Sequence, residues 1–374
     1  MATSEPVETD SIKPRDTAGQ RFTCTGCGAD MVFDPAVGLL QCPYCGRTAV
    51  VPAVGGVVSE RPLEKYLTHG AARLARLSED ALEVDCSGCG SIVEFEPPEV
   101  AGDCPFCGAK IVAQPRAADP IIAPEGVLPF VVTQKQASEQ IRNWIRTRPL
   151  APNALKETAR QGKVQGVYVP FWTFDAHTHS RYRGERGEHY WETETYRDSE
   201  GRTQTRRVMK TRWYPASGTV QHFFNDVLIA GTTSLLPHRL TALEPWDLPQ
   251  VRAYEPAYLS GFKAQRYQID PGTGFEQAKG VMASYIHTLV CRDIGGDTQR
   301  VHWVDTDYTR KTFKHLLLPV WVSAFQYEGK TYQVVVNART GEVQGDRPWS
   351  IWKIAFLILT IAAIAFAFYY FYGR

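Results

Sequence analysis

The stretch Cys24-Thr-Gly-Cys27, followed fourteen residues later by Cys42-Pro-Tyr-Cys45, decides how this chain of 374 residues is interpreted. The arrangement returns 62 residues further on as Cys86-Ser-Gly-Cys89 and Cys104-Pro-Phe-Cys107. A glycine follows each pair, and glycine permits the tight turn that aims backbone N–H groups at thiolate sulfur. Two such pairs at this separation form the ligand set of a tetrahedral, all-cysteine zinc site. We therefore predict two structural Zn²⁺ ions, with disulfides or iron–sulfur clusters as alternatives.

The cysteine usage and the charge indicate the cellular compartment and the class of partner. Eight of the nine cysteines belong to the quartets, which favours a reducing compartment. The ninth, Cys291, lies in an apolar run and is predicted to be a buried small hydrophobe. With 41 basic and 40 acidic residues, the chain has no overall field for nucleic acid. The second ribbon is acidic, with only Lys110 against Glu83, Asp85, Glu94, Glu96, Glu99 and Asp103. A protein-docking or structural role for the ribbons is therefore favoured over nucleic-acid binding.

The C-terminal stretch predicts a membrane anchor. Ile354–Tyr372 contains no charged residue and has the length that an α-helix needs to cross the hydrocarbon core. Aromatic residues at its two edges are typical of interfacial belts: Trp349, Trp352, Tyr369, Tyr370 and Tyr372. We predict a transmembrane helix over 351–372, the alternative being a buried core helix. Arg347 and Lys353 precede it, which places the N-terminal bulk on the cytoplasmic side of the inner membrane.

The segments before the anchor follow from composition. The polar tail 1–20 is predicted to be disordered. The two ribbons occupy 21–52 and 83–114, and each is predicted to be two knuckles joined by a small β-hairpin. Between them, 53–82 is a linker with one or two short amphipathic helices interrupted at Gly70. A Pro-rich linker covers 115–129.

The middle region, 130–348, is predicted to be an α+β domain of two halves, 130–215 and 216–348, that look like a duplication. One half opens with a helix capped by Thr133, and the other contains a helix over Phe275–Val290. Each helix precedes a strand with the pattern proline, apolar residue, tryptophan, and alternating antiparallel strands follow. The expected fold class is thus α+β, with helices packed on an antiparallel sheet.

Complete catalytic motifs are absent from the sequence: there is no P-loop, no nucleophile elbow and no H-E-x-x-H. Asp175, His177 and His179 would share one face of a strand, opposite Trp172 and other apolar residues. This trio could hold a metal or act as acid and base, with His189 as a further member. A solvated polar face is the favoured alternative.

A basic run is predicted on a hairpin around 198–201: Arg202, Arg206, Arg207, Lys210 and Arg212. In a membrane-anchored protein it could contact anionic lipid headgroups. A merely solvated hairpin is favoured, since nearby glutamates would partly neutralise the charge: Glu185, Glu188, Glu192 and Glu194.

Taken together, these segments resemble a bacterial family labelled TFIIB-type zinc-ribbon proteins, or primosomal protein N′-like (replication factor Y) proteins. The likeness covers nearly the whole chain. Besides the ribbons it is carried by 166–176, 222–227, 243–248, 317–321 and 336–343. Some relatives are encoded beside phage-shock (PspA) envelope-stress proteins and SPFH-domain scaffolds, which they help bring to the membrane. The resemblance therefore implies a membrane-tethered adaptor.

Three functions follow as hypotheses. The first is a non-enzymatic, tail-anchored zinc protein that recruits other proteins, such as PspA-like or SPFH-type scaffolds, to the cytoplasmic membrane face. The second is a nucleic-acid-binding regulator at the membrane. The third is a metal-dependent enzyme centred on Asp175, His177 and His179.

Overall fold

The computed structural model describes part of the chain: residues 22–51, 58–69, 74–75, 82–95, 101–112, 116–117, 121–150, 152, 163–197, 199, 201–327, 330–346 and 350–372. The predicted disordered tail 1–20 and the predicted helix interruption at Gly70 lie outside these residues.

The first ribbon contains the predicted hairpin. Its antiparallel sheet consists of β1 Val32–Asp34, β2 Leu39–Gln41 and β3 Thr48–Ala49. The Asp34 carbonyl accepts the N–H of Gly38, whose left-handed φ of 69° closes the turn.

The second ribbon and the segments on either side of it contain short strands and one helix. They comprise β4 Arg61–Pro62, α1 Leu63–His69, β5 Leu74–Ala75, β6 Leu82–Asp85, β7 Ile92–Phe95, β8 Ala101–Asp103, β9 Lys110–Val112, β10 Arg116–Ala117, β11 Ile121–Ile122 and β12 Gly126–Val127. The linker prediction is wrong at β12, because Gly126 pairs in parallel with Leu316 of the main sheet. The part of the ribbon-2 hairpin at 96–100 lies outside the described residues.

The remaining elements form the main domain. They are α2 Gln134–Arg146, β13 Val164–Arg197, β14 Thr203–Ala230, α3 Pro237–Ala242, β15 Arg252–Ala253, β16 Lys263–Ala264, α4 Pro271–Ile294, β17 Thr298–Tyr327, β18 Lys330–Asn337, β19 Val343–Gly345 and α5 Ile351–Tyr372. Short 3-10 turns cover Leu248–Gln250 and Pro256–Leu259. The main domain is α+β, as predicted.

Both predicted halves contribute to one mixed, mostly antiparallel sheet. A helix followed by two antiparallel strands occurs twice, as α2–β13–β14 and α4–β17–β18, and β14 crosses the predicted boundary between the halves. β13 lies between β14 and β17 and pairs antiparallel with both. The two proline-containing motifs pair directly, Tyr168 opposite Pro319 and Pro170 opposite Leu317.

The helix signals in the sequence are confirmed. Thr133 and Gln136 form a reciprocal capping box at the start of α2, which buries Ala137, Ile141 and Ile145. The Asp270 carboxylate accepts the N–H groups of Gly272 and Thr273 at the start of α4. These caps satisfy donors that the first helical turn leaves without partners.

Three unusually long strands give the domain its shape. β13 has 34 residues, β14 has 28 and β17 has 30. At about 3.3 Å per residue, β13 spans on the order of 100 Å. We call the end of the sheet at Val164 the base and the end at Arg197 the tip.

Alternation along β13 assigns its side chains to two faces. From Trp172 to Tyr182, the even-numbered residues are buried beneath α4, which runs along this face. From His177 to Arg183, the odd-numbered residues are exposed on the opposite face. Trp172, Phe174 and Ala176 thus lie opposite His177 and His179, as the period of two predicted.

Candidate metal centres

Four knuckles of the same geometry present the eight quartet cysteines. In each, the carbonyl of the first cysteine accepts the N–H of the following glycine at 2.7–3.0 Å. All four glycines have left-handed φ values of 70–75°. Because other residues rarely adopt this conformation, the prediction that glycine permits the turn is confirmed.

Each quartet brings its four sulfur atoms together. The Sγ–Sγ distances include 3.5 Å for Cys24–Cys45, 3.4 Å for Cys27–Cys42 and 3.4 Å for Cys86–Cys107. Cys89 and Cys104 lie 3.7 Å apart, and all four ligand atoms of each quartet fall within 4.8 Å of one another. All nine cysteines are free thiols, so the disulfide alternative does not hold in this structure.

These distances fit a four-coordinate metal. With metal–sulfur bonds of about 2.3 Å, the edge of a tetrahedron is about 3.8 Å, near the separations within each quartet. Backbone N–H groups favour thiolate at Cys42, where a hydrogen bond from the Cys45 amide is the main cause that lowers the pKa to about 6. In the second quartet, a hydrogen bond with Cys89 raises the pKa of Cys104 to about 12 and burial raises the pKa of Cys107 to about 11. Both quartets can therefore hold a metal ion.

The first ribbon packs on the face of the sheet that carries α2. Its buried Phe33, Met31 and Cys42 belong to one apolar cluster with Phe130 and Trp321 of the main domain. The Ser260 hydroxyl donates to the Met31 carbonyl at 2.6 Å, and Phe33 N–H donates to the Ser260 carbonyl at 3.0 Å. The first ribbon therefore packs directly on the base of the sheet.

The second ribbon packs on the opposite face of the same base. Its Val93, Phe106 and Cys104 are buried in a cluster with Val320 and Val322. Polar contacts fix it further: the Gln268 amide donates to the Gly90 carbonyl, Gln333 to the Phe106 carbonyl, and Lys163 pairs with Asp103. The sheet base thus lies between two cysteine quartets. No motif in the sequence predicts the residues that hold the ribbons on the base.

The ninth cysteine lies outside the quartets on α4. Cys291 is half-buried, with its sulfur 3.6 Å from His287 Nδ1 one helical turn away. The prediction of full burial is wrong, because Cys291 falls outside the stripe of α4 that faces the sheet: Phe275, Ala278, Met282, Ile286, Val290 and Ile294.

The predicted group of one aspartate and two histidines on β13 does not form a metal centre in the described part of the chain. Asp175, His177 and His179 share one face of β13, but only the two cysteine quartets gather three or more ligand groups there. Asp175 is buried, whereas His177 and His179 are exposed and His177 stacks on Phe223 at 4.5 Å. His189 Nδ1 forms a hydrogen bond with the Thr211 hydroxyl, too far along β13 from the Asp175 carboxylate to bind a metal together with it.

Asp175 instead lies at a pair of β-bulges. Both neighbouring strands are irregular at this level, and each bulge contains a non-glycine residue with positive φ, Asp226 at 54° and Arg310 at 50°. The Asp226 N–H donates to Asp175 Oδ1 at 2.7 Å, and the Thr312 hydroxyl donates to Oδ2 at 3.1 Å. The strained backbone is thus tied to one buried carboxylate.

A second carboxylate completes this cluster, which the sequence did not reveal. Burial, followed by a hydrogen bond with Glu60, raises the pKa of Asp175 to about 6, while that hydrogen bond lowers the pKa of Glu60. Lys314 compensates the negative charge, 2.6 Å from Asp226 and 3.4 Å from Glu60. Below about pH 6 the two carboxyl groups therefore share one proton, which Asp175 holds.

The C-terminal helix has the features of a membrane span. Ile351–Phe371 is long and apolar enough to cross a bilayer, and none of it is buried against the rest of the protein. The buried core helix considered as an alternative is thus absent at this position. The helix leaves the main domain at the base of the sheet, where β19 ends beside Val334.

The basic run lies at the other end, on the two-stranded tip. Lys210 pairs with Glu192 and Glu194 at 3.0 and 2.9 Å, and Arg206 pairs with Glu194 at 3.2 Å. The Arg207 guanidinium stacks 5.5 Å from the Trp191 ring. Arg206 and Lys210 are thus compensated by glutamates of the neighbouring strand, which partly neutralises the run as predicted.

Comparisons with known proteins give one informative likeness. The chain is 27% identical over 339 residues to the Uncharacterized protein YdjG of Bacillus subtilis (strain 168), covering 89% of this chain and 92% of that protein. No protein-family model matches the chain, and no solved structure matches it. The similarity extends over most of the length of both chains.

Proposed function

We propose that this protein is a membrane-anchored zinc-ribbon adaptor that docks other proteins at the cytoplasmic face of the inner membrane and takes part in envelope-stress responses. The observation that carries the proposal is the arrangement along the sheet. The base is held between two cysteine quartets and continues into an exposed apolar helix, while the tip half extends away with large side chains uncovered.

Zinc is the metal that the quartets fit best. Four thiolates in a closed tetrahedron are the ligand set of structural zinc sites, which leave no position open for substrate. Since both quartets also contribute cysteines to the apolar clusters of the base, the metal would fold the ribbons onto the sheet.

The orientation follows from the chain order and from thiol chemistry. The apolar helix is the last described element, and everything that binds metal precedes it. Reduced thiolates persist in the cytoplasm, so the ribbons and the sheet belong on that side. The basic residues before the helix agree with this topology.

The docking surface that we assign is the uncovered face of the distal sheet, which we call the distal face. Four large apolar side chains on it are about half exposed: Phe223, Trp303, Met209 and Trp191. Their pairing partners on β13, His177, Arg183 and Trp191, are odd-numbered, so register places all four on one face. Tryptophan, methionine and arginine side chains are enriched where proteins bind proteins. The partner is therefore a protein, with PspA-like and SPFH-type scaffolds as the leading candidates from the resemblance.

The test is a crosslinked pull-down from detergent-solubilised membranes with the full chain. We expect specific protein partners with the wild type and their loss with Phe223→Ala/Trp303→Ala. The matched control is Tyr44→Ala, which removes an aromatic side chain that is 83% exposed on the first ribbon. Loss of partners with Tyr44→Ala alone would move the docking surface to the ribbon. Recovery of nucleic acid in place of protein would overturn the adaptor proposal.

A further inference from the structure

The segment that follows α2 lies against the start of the C-terminal helix. The Ser350 N–H donates to the Leu150 carbonyl at 2.9 Å, and Lys353 Nζ donates to the Pro149 carbonyl at 3.2 Å. Leu150 also lines a groove with five residues of α5's first turns, including Trp352 and Phe356. These contacts hold the segment after α2 at the level where α5 begins.

That level is the membrane interface if α5 spans the bilayer. Lys353 is the last charged residue before the apolar stretch, so the hydrocarbon begins just beyond it. Arg146 precedes Leu150 by four residues and so lies within about 14 Å of it. Arg142 is one helical turn further, about 6 Å along α2. The headgroup layer is roughly 5–8 Å thick, and charge acts about 8–10 Å beyond it at physiological salt.

The exposed side of α2 at this end is basic. Arg142 and Arg146 are both exposed and stand one turn apart, on the side of the helix away from the buried Ile141 and Ile145. The ion pairs formed among the described residues include neither arginine, and Glu139 is the sole acidic residue of α2. The Arg148 guanidinium lies 4.1 Å from the Trp144 ring, which keeps a third positive charge beside them.

We infer that this surface, the α2 collar of Arg142, Arg146, Arg148 and Lys353, binds the anionic lipid headgroups of the leaflet that α5 enters. Clustered basic residues next to a membrane helix are attracted to anionic lipid, and Trp144 and Trp352 supply amphipathic rings for the same layer. The inference rests on the proposed membrane insertion of α5. The collar differs from the basic run of the tip, where glutamates already compensate Arg206 and Lys210.

The function of such a collar is orientation. A single helix leaves the domain free to rotate about its axis, whereas headgroup contacts on one side of the helix favour one tilt of the sheet. The distal face would then be presented to the cytoplasm in a defined direction.

The experiment uses the full chain reconstituted into phosphatidylcholine vesicles that contain 30 mol% phosphatidylglycerol, on the order of the anionic content at which such surfaces act. Spin-labelled lipids report the association constant of phosphatidylglycerol relative to phosphatidylcholine at the protein surface. We expect a preference of about fivefold, which falls toward one with Arg142→Glu/Arg146→Glu and with high salt. The control Lys135→Glu/Arg197→Glu changes the net charge equally at the other end of α2 and near the tip, and should keep the preference.

The outcomes separate this inference from the proposed function. If the wild type does not insert stably into vesicles, the membrane anchor itself fails. If it inserts but shows no preference, or if the control variant abolishes the preference as strongly as the collar variant, the collar is overturned while the anchor stands.

Discussion

The base and the tip half of the sheet are built from the same strands but differ in what covers them. At the base, both faces of β13 and β17 are buried, one against the first ribbon and α2 and the other against the second ribbon. Further along, α4 covers only one face. The tip has neither cover, and β13 and β14 continue there as a two-stranded hairpin.

In this arrangement the base provides the stability, and the uncovered distal face is available for recognition. An isolated two-stranded β-hairpin is at best marginally stable, so the distal hairpin depends for its stability on its continuity with the base. The base draws free energy from apolar burial on two faces and, in our proposal, from metal binding. The exposed aromatic residues are thereby left available for a partner.

The largest effect should come from breaking the base. We expect Cys104→Ser to release one of two bound metal ions per chain and to lower the free energy of unfolding by more than about 5 kcal/mol, because a structural zinc site contributes its binding energy to folding. Metal analysis and denaturant unfolding measure both quantities. Cys291→Ser, a half-buried thiol outside the quartets, should keep both metal ions and change stability by less than about 1 kcal/mol. A Cys104→Ser protein that still bound two ions would contradict the assignment.

A smaller effect should distinguish the two faces beyond the base. Phe174 is fully buried beneath α4, whereas Phe223, near the same level, is 48% exposed on the distal face. We expect Phe174→Ala to lower the free energy of unfolding by about 3–5 kcal/mol and Phe223→Ala by less than about 1 kcal/mol. Thermal or denaturant unfolding of the two variants decides. Equal losses would mean that the distal face is covered in the native protein.

The smallest effect concerns the buried carboxylate between the two regions. Because the folded pKa of Asp175 is raised to about 6, the native state holds a proton that the unfolded chain has released, and its contribution to stability is lost as pH rises through 6. We expect Asp175→Asn to leave stability nearly unchanged near pH 4 and to raise it by about 1–2 kcal/mol at pH 8, after allowance for charge sharing with Glu60 and Lys314. Unfolding curves at the two pH values measure this, and a variant less stable at pH 8 would show that the ionised carboxylate is favourable.

The local features could be read from the sequence because each has a short-range cause. The knuckle glycines, the Thr133 capping box and the helix over 275–290 depend on residues within a few positions of one another. The opposite faces of Trp172 and His177 follow from the period of two alone. The eight cysteines of the two quartets were likewise predicted from spacing.

The rest depends on contacts between distant segments. The sequence predicts several alternating strands after the first proline-containing motif, yet β13 is continuous because β14 and β17 pair along it. The seating of the ribbons rests on Ser260 and Gln268, which carry no motif. The cluster around Asp175 joins Glu60, Asp226 and Lys314, residues separated by up to 254 positions.

The paired bulges have an evolutionary consequence. Each inserts an extra residue into a neighbour of β13 and so changes which of that neighbour's side chains face α4 beyond the bulge; β17 has a further irregularity opposite Arg183 and Gly184. One further residue inserted into β14 on the tip side of Asp226 would turn Phe223 and Met209 away from the face that carries Trp191 and Trp303. Insertions that lengthen both strands of the hairpin by the same number of residues preserve the alternation. Homologous chains should therefore differ in the length of this arm by even numbers of residues.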